Sequence, residues 1–313
     1  MNPETTDDVV RLDDLHMIFQ SALRRPVWAL RGLSLAVPTG SVMGLLGPNG
    51  AGKTTAISCI LGLLDPTSGA AYVWGQRVSS ARPRHGARCG VLLEDTRLPP
   101  FLTVRSALDA VCALRRVRDR VREVSRVVDT TGIGDLLTRT VAVLSKGQAR
   151  KVGLAAALIG EPALLILDEP SAGLDAEARV EFEHLVRSLR DESRTMIIAS
   201  HLLGDVEATC THVAVVREGR VVLAGRSREL LDEARRGKTA EVHVDAATAP
   251  ALERLGMNHE ASRYPDLIVV RSDVEDEALF AALAGARIVP RRVEPRASIL
   301  SLYLDTTRAG GSS

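Results

Sequence analysis

The sequence predicts an α/β fold, a mostly parallel sheet flanked by helices, with a small α+β domain of ferredoxin-like order behind it. Three observations carry that expectation. Short apolar runs alternate with helical patterns as far as Glu233. A glycine-rich loop stands between one such run and a helix. Beyond Glu233 the texture changes to short alternating segments. Strands and helices that alternate in sequence pair most readily as a parallel sheet covered by helices.

The elements follow in chain order. Ser41–Leu46 is an apolar run that enters the glycine-rich loop, so it reads as a buried strand. Thr54–Leu64 reads as a helix closed by Asp65 and Pro66. Leu164–Leu167 is a second buried strand, bounded by Pro162 and by Asp168-Glu169-Pro170, and Thr195–Ala199 is a third. Helical patterns occupy Thr103–Arg118, Val121–Thr130, Gly147–Ile159 and Ala176–Arg190. In the second domain Ala240–Asp245 alternates like a strand. Ala249–Leu255 is helical, with Thr248 as a cap and Pro250 in the first turn. A weak strand near His259–Arg263, a strand at Leu267–Arg271, a helix at Val274–Leu283 and a strand at Ala286–Arg291 complete a β-α-β-β-α-β order, the split βαβ arrangement. The expected boundaries are 8–235 for the first domain and 236–306 for the second, with a disordered tail over 307–313.

Composition removes several function classes. Lys+Arg is 40 against Asp+Glu 39, a net charge of +1, which gives no basis for unspecific binding to nucleic acid or anionic lipid. Aromatic residues are 3% of the chain, too few for a base-stacking surface. The longest uncharged stretch, Gly32–Gly52, is broken by Pro38, Gly40, Gly44, Gly47, Pro48 and Asn49, so it does not read as a membrane span. The acidic N-terminus lacks the apolar core of a secretory signal. Cys59, Cys89, Cys112 and Cys210 stand far apart and read as reduced, buried thiols.

Chemistry enters with Gly47, Pro48, Asn49, Gly50, Ala51, Gly52, Lys53 and Thr54, which fit the pattern G-x-x-x-x-G-K-[ST] between a strand and a helix. Glycines let the backbone N–H groups turn inward, and the following helix start favours an anion, so the loop is a phosphate cradle. Lys53 reaches the β- and γ-phosphates as a point charge. Thr54, with Thr55 behind it, offers a hydroxyl to Mg2+. A second half of such a site needs an acid at another strand end. Asp168 and Glu169 emerge there: Asp168 to hold Mg2+ directly or through water, Glu169 to polarise an attacking water. The alternative for this pair is the cap of a following helix.

With these motifs in order, the chain resembles the nucleotide-binding subunit of an ABC (ATP-binding cassette) transporter over about residues 8–233. Leu144, Ser145, Lys146, Gly147 and Gln148 resemble the family signature LSGGQ. Ser171–Asp175 resembles the D-loop, and His201, after the third strand, resembles the switch histidine. The resemblance implies a P-loop cassette with an antiparallel β-subdomain and a helical subdomain over about 95–160. It implies ATP and Mg2+ as ligands, and ATP hydrolysis with Glu169, His201 and Lys53 at the reacting phosphate. The signature of one copy would close over ATP held by another, so cassettes would dimerise around nucleotide. Glu94 stands where the family has a glutamine, on the loop that couples cassette to membrane subunit, and a carboxylate there still contacts Mg2+ or water. Lys146 replaces the first signature glycine, and a lysine tolerates a left-handed backbone poorly. An aromatic near the N-terminus stacks adenine in the family: Phe19, with Trp28 as its rival.

The resemblance makes the chain the ATPase of a membrane transporter, placed on the cytoplasmic face of the membrane, working as a homodimer beside an integral permease and without nucleic acid. The cassette with its small appendix resembles bacterial exporters of drugs, antibiotics and lipophilic products. The alternative is a soluble ATPase of this type acting on ribosomes or chromosomes. Ribosomal types carry two cassettes on one chain, and chromosomal types interrupt the cassette with a coiled coil. The basic run from Arg115 to Arg122 reads as a solvated helix face, or as a contact with anionic lipid or a membrane subunit.

Overall fold

The computed structural model describes residues 8–21, 24–81, 88–191, 194–202, 204, 206, 209–235, 241–262, 265–271 and 276–294. The expected tail at 307–313 lies outside them. The chain divides into two compact units, Met1–Gly225 and Arg226–Ser313.

The first unit holds two sheets. β1 (Asp8–Ser21), β2 (Arg24–Pro38), β4 (Ser68–Val73) and β5 (Gln76–Arg77) form an antiparallel sheet in the order β2-β1-β4-β5. β3 (Val42–Leu46), β6 (Cys89–Leu92), β7 (Leu164–Asp168), β8 (Thr195–Ser200), β9 (His212–Arg217) and β10 (Arg220–Arg226) form the second, in the order β10-β9-β3-β8-β7-β6. Strands β9, β3, β8, β7 and β6 pair in parallel. A parallel strand is covered on both faces, so it needs an unbroken apolar run and not an alternating one. That is why β3, β7 and β8 are buried at every position.

Helices α1 (Lys53–Ile60), α2 (Val104–Leu114), α3 (Arg120–Thr131), α4 (Lys146–Leu158) and α5 (Ala176–Ser188) also belong to this unit. α1 stops earlier than expected: the Leu63 N–H turns back to the Ser58 carbonyl, so Leu61–Leu64 form a turn. α4 lies close on β6. A Cβ at Gly90 would stand 2.3 Å from the Ala157 carbonyl oxygen, so that approach requires glycine. The four cysteines are free and buried, and burial pushes the Cys59 and Cys89 thiols up to about 11, which keeps them protonated and inert.

The basic run divides by role. Arg118, Arg120 and Arg122 are exposed, and Asp119 caps α3 by accepting from the Arg122 N–H at 3.0 Å. Arg115 is different. Its guanidinium donates to Ile159 O at 2.6 Å and to Cys89 O at 2.7 Å, binding the end of α4 to β6. Arg126 adds a bond to Leu158 O at 2.8 Å, and Glu123 accepts from both Arg126 and the Gly160 N–H. The carbonyls of Leu158 and Ile159, at the end of α4 where a helix leaves such groups without partners, are thus satisfied by Arg126 and Arg115.

The second unit contains α6 (Ser227–Arg235), β11 (Glu241–Asp245), α7 (Ala249–Arg254), β12 (Asn258–Ala261), β13 (Leu267–Arg271), α8 (Asp276–Gly285) and β14 (Arg292–Glu294). Its antiparallel sheet has the order β12-β13-β11-β14, the split βαβ arrangement. Val242, Val244, Leu252, Val270, Leu279 and Leu283 form its core. The division after Gly225 puts α6 with this unit, ahead of the expected boundary near 235. Two details differ from expectation. Ala286–Arg291 is not the last strand, because Ala286 and Ile288 donate back to the end of α8 and Arg287 is left-handed (φ 59), so β14 begins only at Arg292. Thr248 holds the N-cap position of α7 as expected, but its side chain makes no capping bond; the hydroxyl donates to Asp245 O instead.

Arg115→Ala should lower the melting temperature by several degrees, since hydrogen bonds to a charged group contribute about 1.5–3 kcal/mol each. Arg118→Ala should leave it unchanged. Calorimetry of the two variants checks this, and equal shifts would show that Arg115 is merely another surface charge.

Candidate active site

The strand order decides where the chemistry gathers. β3, β8, β7 and β6 are neighbours running the same way, so their C-terminal ends share one edge of the sheet. The phosphate loop leaves β3, His201 follows β8, Asp168 ends β7 with Glu169 next, and Glu94 lies just beyond β6. The ends of parallel strands are where such sheets bind ligands.

The loop is pinned by its own backbone. Gly47 N–H donates to Ser200 O at 3.3 Å, Ala51 N–H to Pro48 O at 3.1 Å, and Gly219 N–H to Ala51 O at 2.9 Å. Gly52 takes φ 109, and a Cβ there would stand 2.7 Å from Ala29 O, so only glycine fits. It precedes α1 without any capping side chain, which leaves the first N–H groups of that helix available to an anion. Gly47, Ala51, Gly52 and Lys53 are buried, Thr55 is half-buried, and Pro48, Asn49, Gly50 and Thr54 face solvent.

Lys53 is 5% exposed. Its amine donates to Gly47 O at 2.7 Å and Pro48 O at 3.3 Å, and stands 3.2 Å from Glu169 Oε1. Glu169 Oε1 closes no hydrogen bond, so charge alone holds it there. The other carboxylate oxygen lies 2.8 Å from Nδ1 of His201. Glu169 reaches both partners because its backbone is left-handed, φ 46, a conformation a non-glycine residue adopts only when its surroundings impose it. Lys53, Glu169 and His201 therefore form one continuous polar chain.

Asp168 is fully buried, and neither of its oxygens closes a hydrogen bond. Burial pushes its carboxyl up. The Thr54 hydroxyl pulls it back without bond-forming geometry, Glu169 pushes it up, and Lys53 lowers it. An orphaned buried carboxylate beside a hydroxyl is a costly arrangement for a folded chain. Neither acid caps the next helix. Asp175 does that, accepting from the Ala178 N–H at 2.9 Å to start α5.

The signature segment opens α4. Ser145 is its N-cap in a reciprocal capping box: Ser145 Oγ accepts from the Gln148 N–H at 3.2 Å, and Gln148 Oε1 from the Ser145 N–H at 3.1 Å. Lys146 and Gly147 are the next residues, whose N–H groups a helix start leaves without an internal acceptor. The backbone penalty expected for Lys146 does not arise. As the first residue of α4 it keeps an ordinary helical backbone, and it is absent from the left-handed residues. Leu144 is half-buried just ahead of the cap. The Lys146 amine lies over Gly173, where a Cβ would meet it at 1.9 Å. It shares a cavity of about 410 Å³ with Glu94, Asp95, Arg97, Arg150 and Gly173. Both departures from the family pattern, Lys146 and Glu94, thus line the same cavity.

Phe19 and Trp28 lie on the paired strands β1 and β2, opposite Val27 and Ile18, and are 44% and 45% exposed. The Trp28 ring packs edge-on against His16, 6.1 Å between centroids. Arg150 escaped the sequence reading. It donates to Leu93 O at 2.8 Å and to Glu169 O at 3.3 Å. The available signal was a charge one turn inside a helix whose remainder, Val152–Leu158, is small and apolar.

Fold and motifs define a P-loop ATPase cassette. A family model described as ABC transporter matches residues 30–172. An uncharacterized ABC transporter ATP-binding protein of Nostoc sp. is 33% identical, over 74% of this chain and 70% of its own length. The Nod factor export ATP-binding protein I of Burkholderia pseudomallei is 30% identical, over 87% and 86%. Among solved structures, cbiO1 of Clostridium perfringens, part of the ABC transporter complex cbiONQ, superposes with a TM-score of 0.63 at 27% identity, covering 80% of this chain and 98% of that one. The chain belongs to the ABC transporter ATP-binding proteins, as an ATP-hydrolysing subunit of a transporter. Among the described residues no helix is long and apolar enough to cross a membrane.

The raised Asp168 carboxyl has a consequence for stability. Its folded-state pKa lies above the unfolded value, so stability is complete where the group is protonated and is lost as pH rises through the folded pKa. Without nucleotide or metal, Asp168→Asn should therefore melt higher than the parent at pH 7, with the gain shrinking as pH falls. Calorimetry in a chelator checks this; a lower melting temperature at pH 7 would mean the carboxylate is already compensated.

Proposed function

We propose that the chain powers an exporter of a lipophilic compound, a drug, an antibiotic or another amphiphilic product, by hydrolysing ATP between two copies of itself. The observation that carries the reading is the single sheet edge that gathers Lys53, Asp168, Glu169 and His201, with a capped signature helix beside it. The Nod factor export relative, matched along most of both chains, favours export.

The geometry supports the following roles. Gly47 through Thr55 cradle the phosphates through loop and helix N–H groups. Lys53 exchanges the Glu169 carboxylate for phosphate oxygens. Glu169, so released, accepts the proton of the water that attacks the γ-phosphorus while ADP departs, and His201 keeps its carboxylate aimed. Asp168 and Thr54 suit Mg2+: two oxygen donors, one a buried carboxylate with no closed hydrogen bond, match a hard cation, and Glu94 is a further oxygen at the next strand end. Bound there, the ion neutralises charge on the phosphates. Leu144–Gln148 of one copy presents the Ser145 hydroxyl and the free N–H groups of Lys146 and Gly147 to ATP on the other, with Asp175 fixing the adjoining loop. Phe19 is the adenine platform.

An integral permease is the implied partner, with the cassette peripheral on the cytoplasmic face. Its contact is assigned to the groove of about 460 Å³ lined by Leu98, Pro100, Val141, Ala142, Leu144 and Val152, beside exposed Phe101 and Val143. This groove continues the Glu94 loop, which couples to the membrane subunit in the family.

Glu169→Gln should reduce ATP turnover by about 100-fold or more while ATP still binds, since general base catalysis contributes about 10²–10⁴. Turnover like the parent's would refute the base assignment. In inside-out vesicles holding the permease, ATP should drive a lipophilic cargo into the lumen. ATP-driven movement out of the vesicles would make the system an importer.

A further inference from the structure

Arg150 is a buried cation that the reading above leaves without a task. It lies one turn into α4, beyond the signature, and is 6% exposed. Its two terminal nitrogens serve two different loops. One donates to the carbonyl of Leu93, at 2.8 Å, immediately before Glu94. The other donates to the carbonyl of Glu169 at 3.3 Å. Burial pulls the Arg150 pKa down, and the nearby carboxylates of Glu94, Asp95 and Asp168 oppose that shift without outweighing it.

The bond to Glu169 matters because that backbone is strained. A left-handed glutamate persists only where its surroundings over-determine it. The Glu169 N–H donates to Ala199 O at 2.9 Å, on β8. Its carbonyl accepts from the Ala172 N–H at 3.1 Å and from Arg150. The Ala172 bond is local to the loop, so it travels with the loop. Beside the β8 bond to its N–H, Arg150 brings the one hold on the Glu169 carbonyl that comes from another element among the described residues, and that element is the signature helix. α4 is in turn set hard against β6 at Gly90 and fastened by Arg115 at its far end.

The geometry points to Arg150 as a positioning residue for ATP hydrolysis: its forked guanidinium fixes the strained Glu169 backbone, and so the aim of the carboxylate, in register with the Glu94 loop and the signature helix. A planar fork can serve two carbonyls in fixed directions, whereas an ammonium is a point charge on a flexible stem. Arg150→Lys therefore keeps the charge and loses the register. This inference rests on Glu169 being the base.

The test uses the full-length chain. Arg150→Lys should melt within about 2 °C of the parent. Its ATP affinity should stay within about twofold, because the phosphate loop is untouched, while kcat falls by about tenfold or more at unchanged KM, as expected for a slightly misplaced catalytic group. Arg150→Ala should behave likewise, and free guanidinium at low millimolar concentration should restore part of its kcat. If Arg150→Lys does not fold, the Arg150→Ala rescue decides alone. A kcat within twofold of the parent, a parallel loss of ATP binding and kcat, or absence of guanidinium rescue would each overturn the proposal. Glu169→Gln measured alongside separates the two ideas. Full activity there would sink the base assignment, whereas an inactive Glu169→Gln beside a fully active Arg150→Lys would sink only the positioning role.

Discussion

The buried charge of Lys53 organises the cassette's chemistry. An ammonium that is 5% exposed must find compensation inside the protein. It finds two loop carbonyls and one oxygen of Glu169. The carbonyls follow β3 and the carboxylate follows β7, so the pair exists because these two strands run parallel on either side of β8. The same corner holds the left-handed backbone of Glu169, the His201 ring at 2.8 Å and the crowding of acid around Asp168. In the proposed mechanism Glu169 takes the place of a phosphate oxygen on Lys53, and the nucleotide competes with that carboxylate.

α4 gives this corner its reach. Its N-terminus carries the capped signature, its first turn carries Arg150, and its C-terminal carbonyls are held by Arg115 and Arg126. A helix fixed at both ends and packed through Gly90 moves as one body or not at all. The Glu94 loop is joined to the signature helix through the Leu93 carbonyl, which accepts from Arg150. The cavity shared by Lys146 and Glu94 lies on that same line.

Much of this was legible in the sequence, for physical reasons. An unbroken apolar run announces a parallel strand, and a glycine-rich loop ending in Lys53-Thr54 has few structural uses besides phosphate. The β-α-β-β-α-β order of the second unit was legible because its strands alternate. What stayed hidden depends on the third dimension. Arg115 looks like one of several surface arginines until Ile159 and Cys89 offer it carbonyls. Lys146 looks strained until the Ser145 cap starts the helix directly ahead of it. The stretch after Gly285 alternates like a strand, yet its N–H groups close the preceding helix first. Arg150 is silent in the sequence because its partners are main-chain atoms, which carry no residue signature.

The central claim is that Glu169 competes with a phosphate oxygen for Lys53. Titration calorimetry of ATP against the parent and Glu169→Gln measures it directly. Removing the competing charge should tighten ATP binding several-fold. An affinity that is unchanged or weaker would contradict the account, because the carboxylate would then not be what the nucleotide displaces.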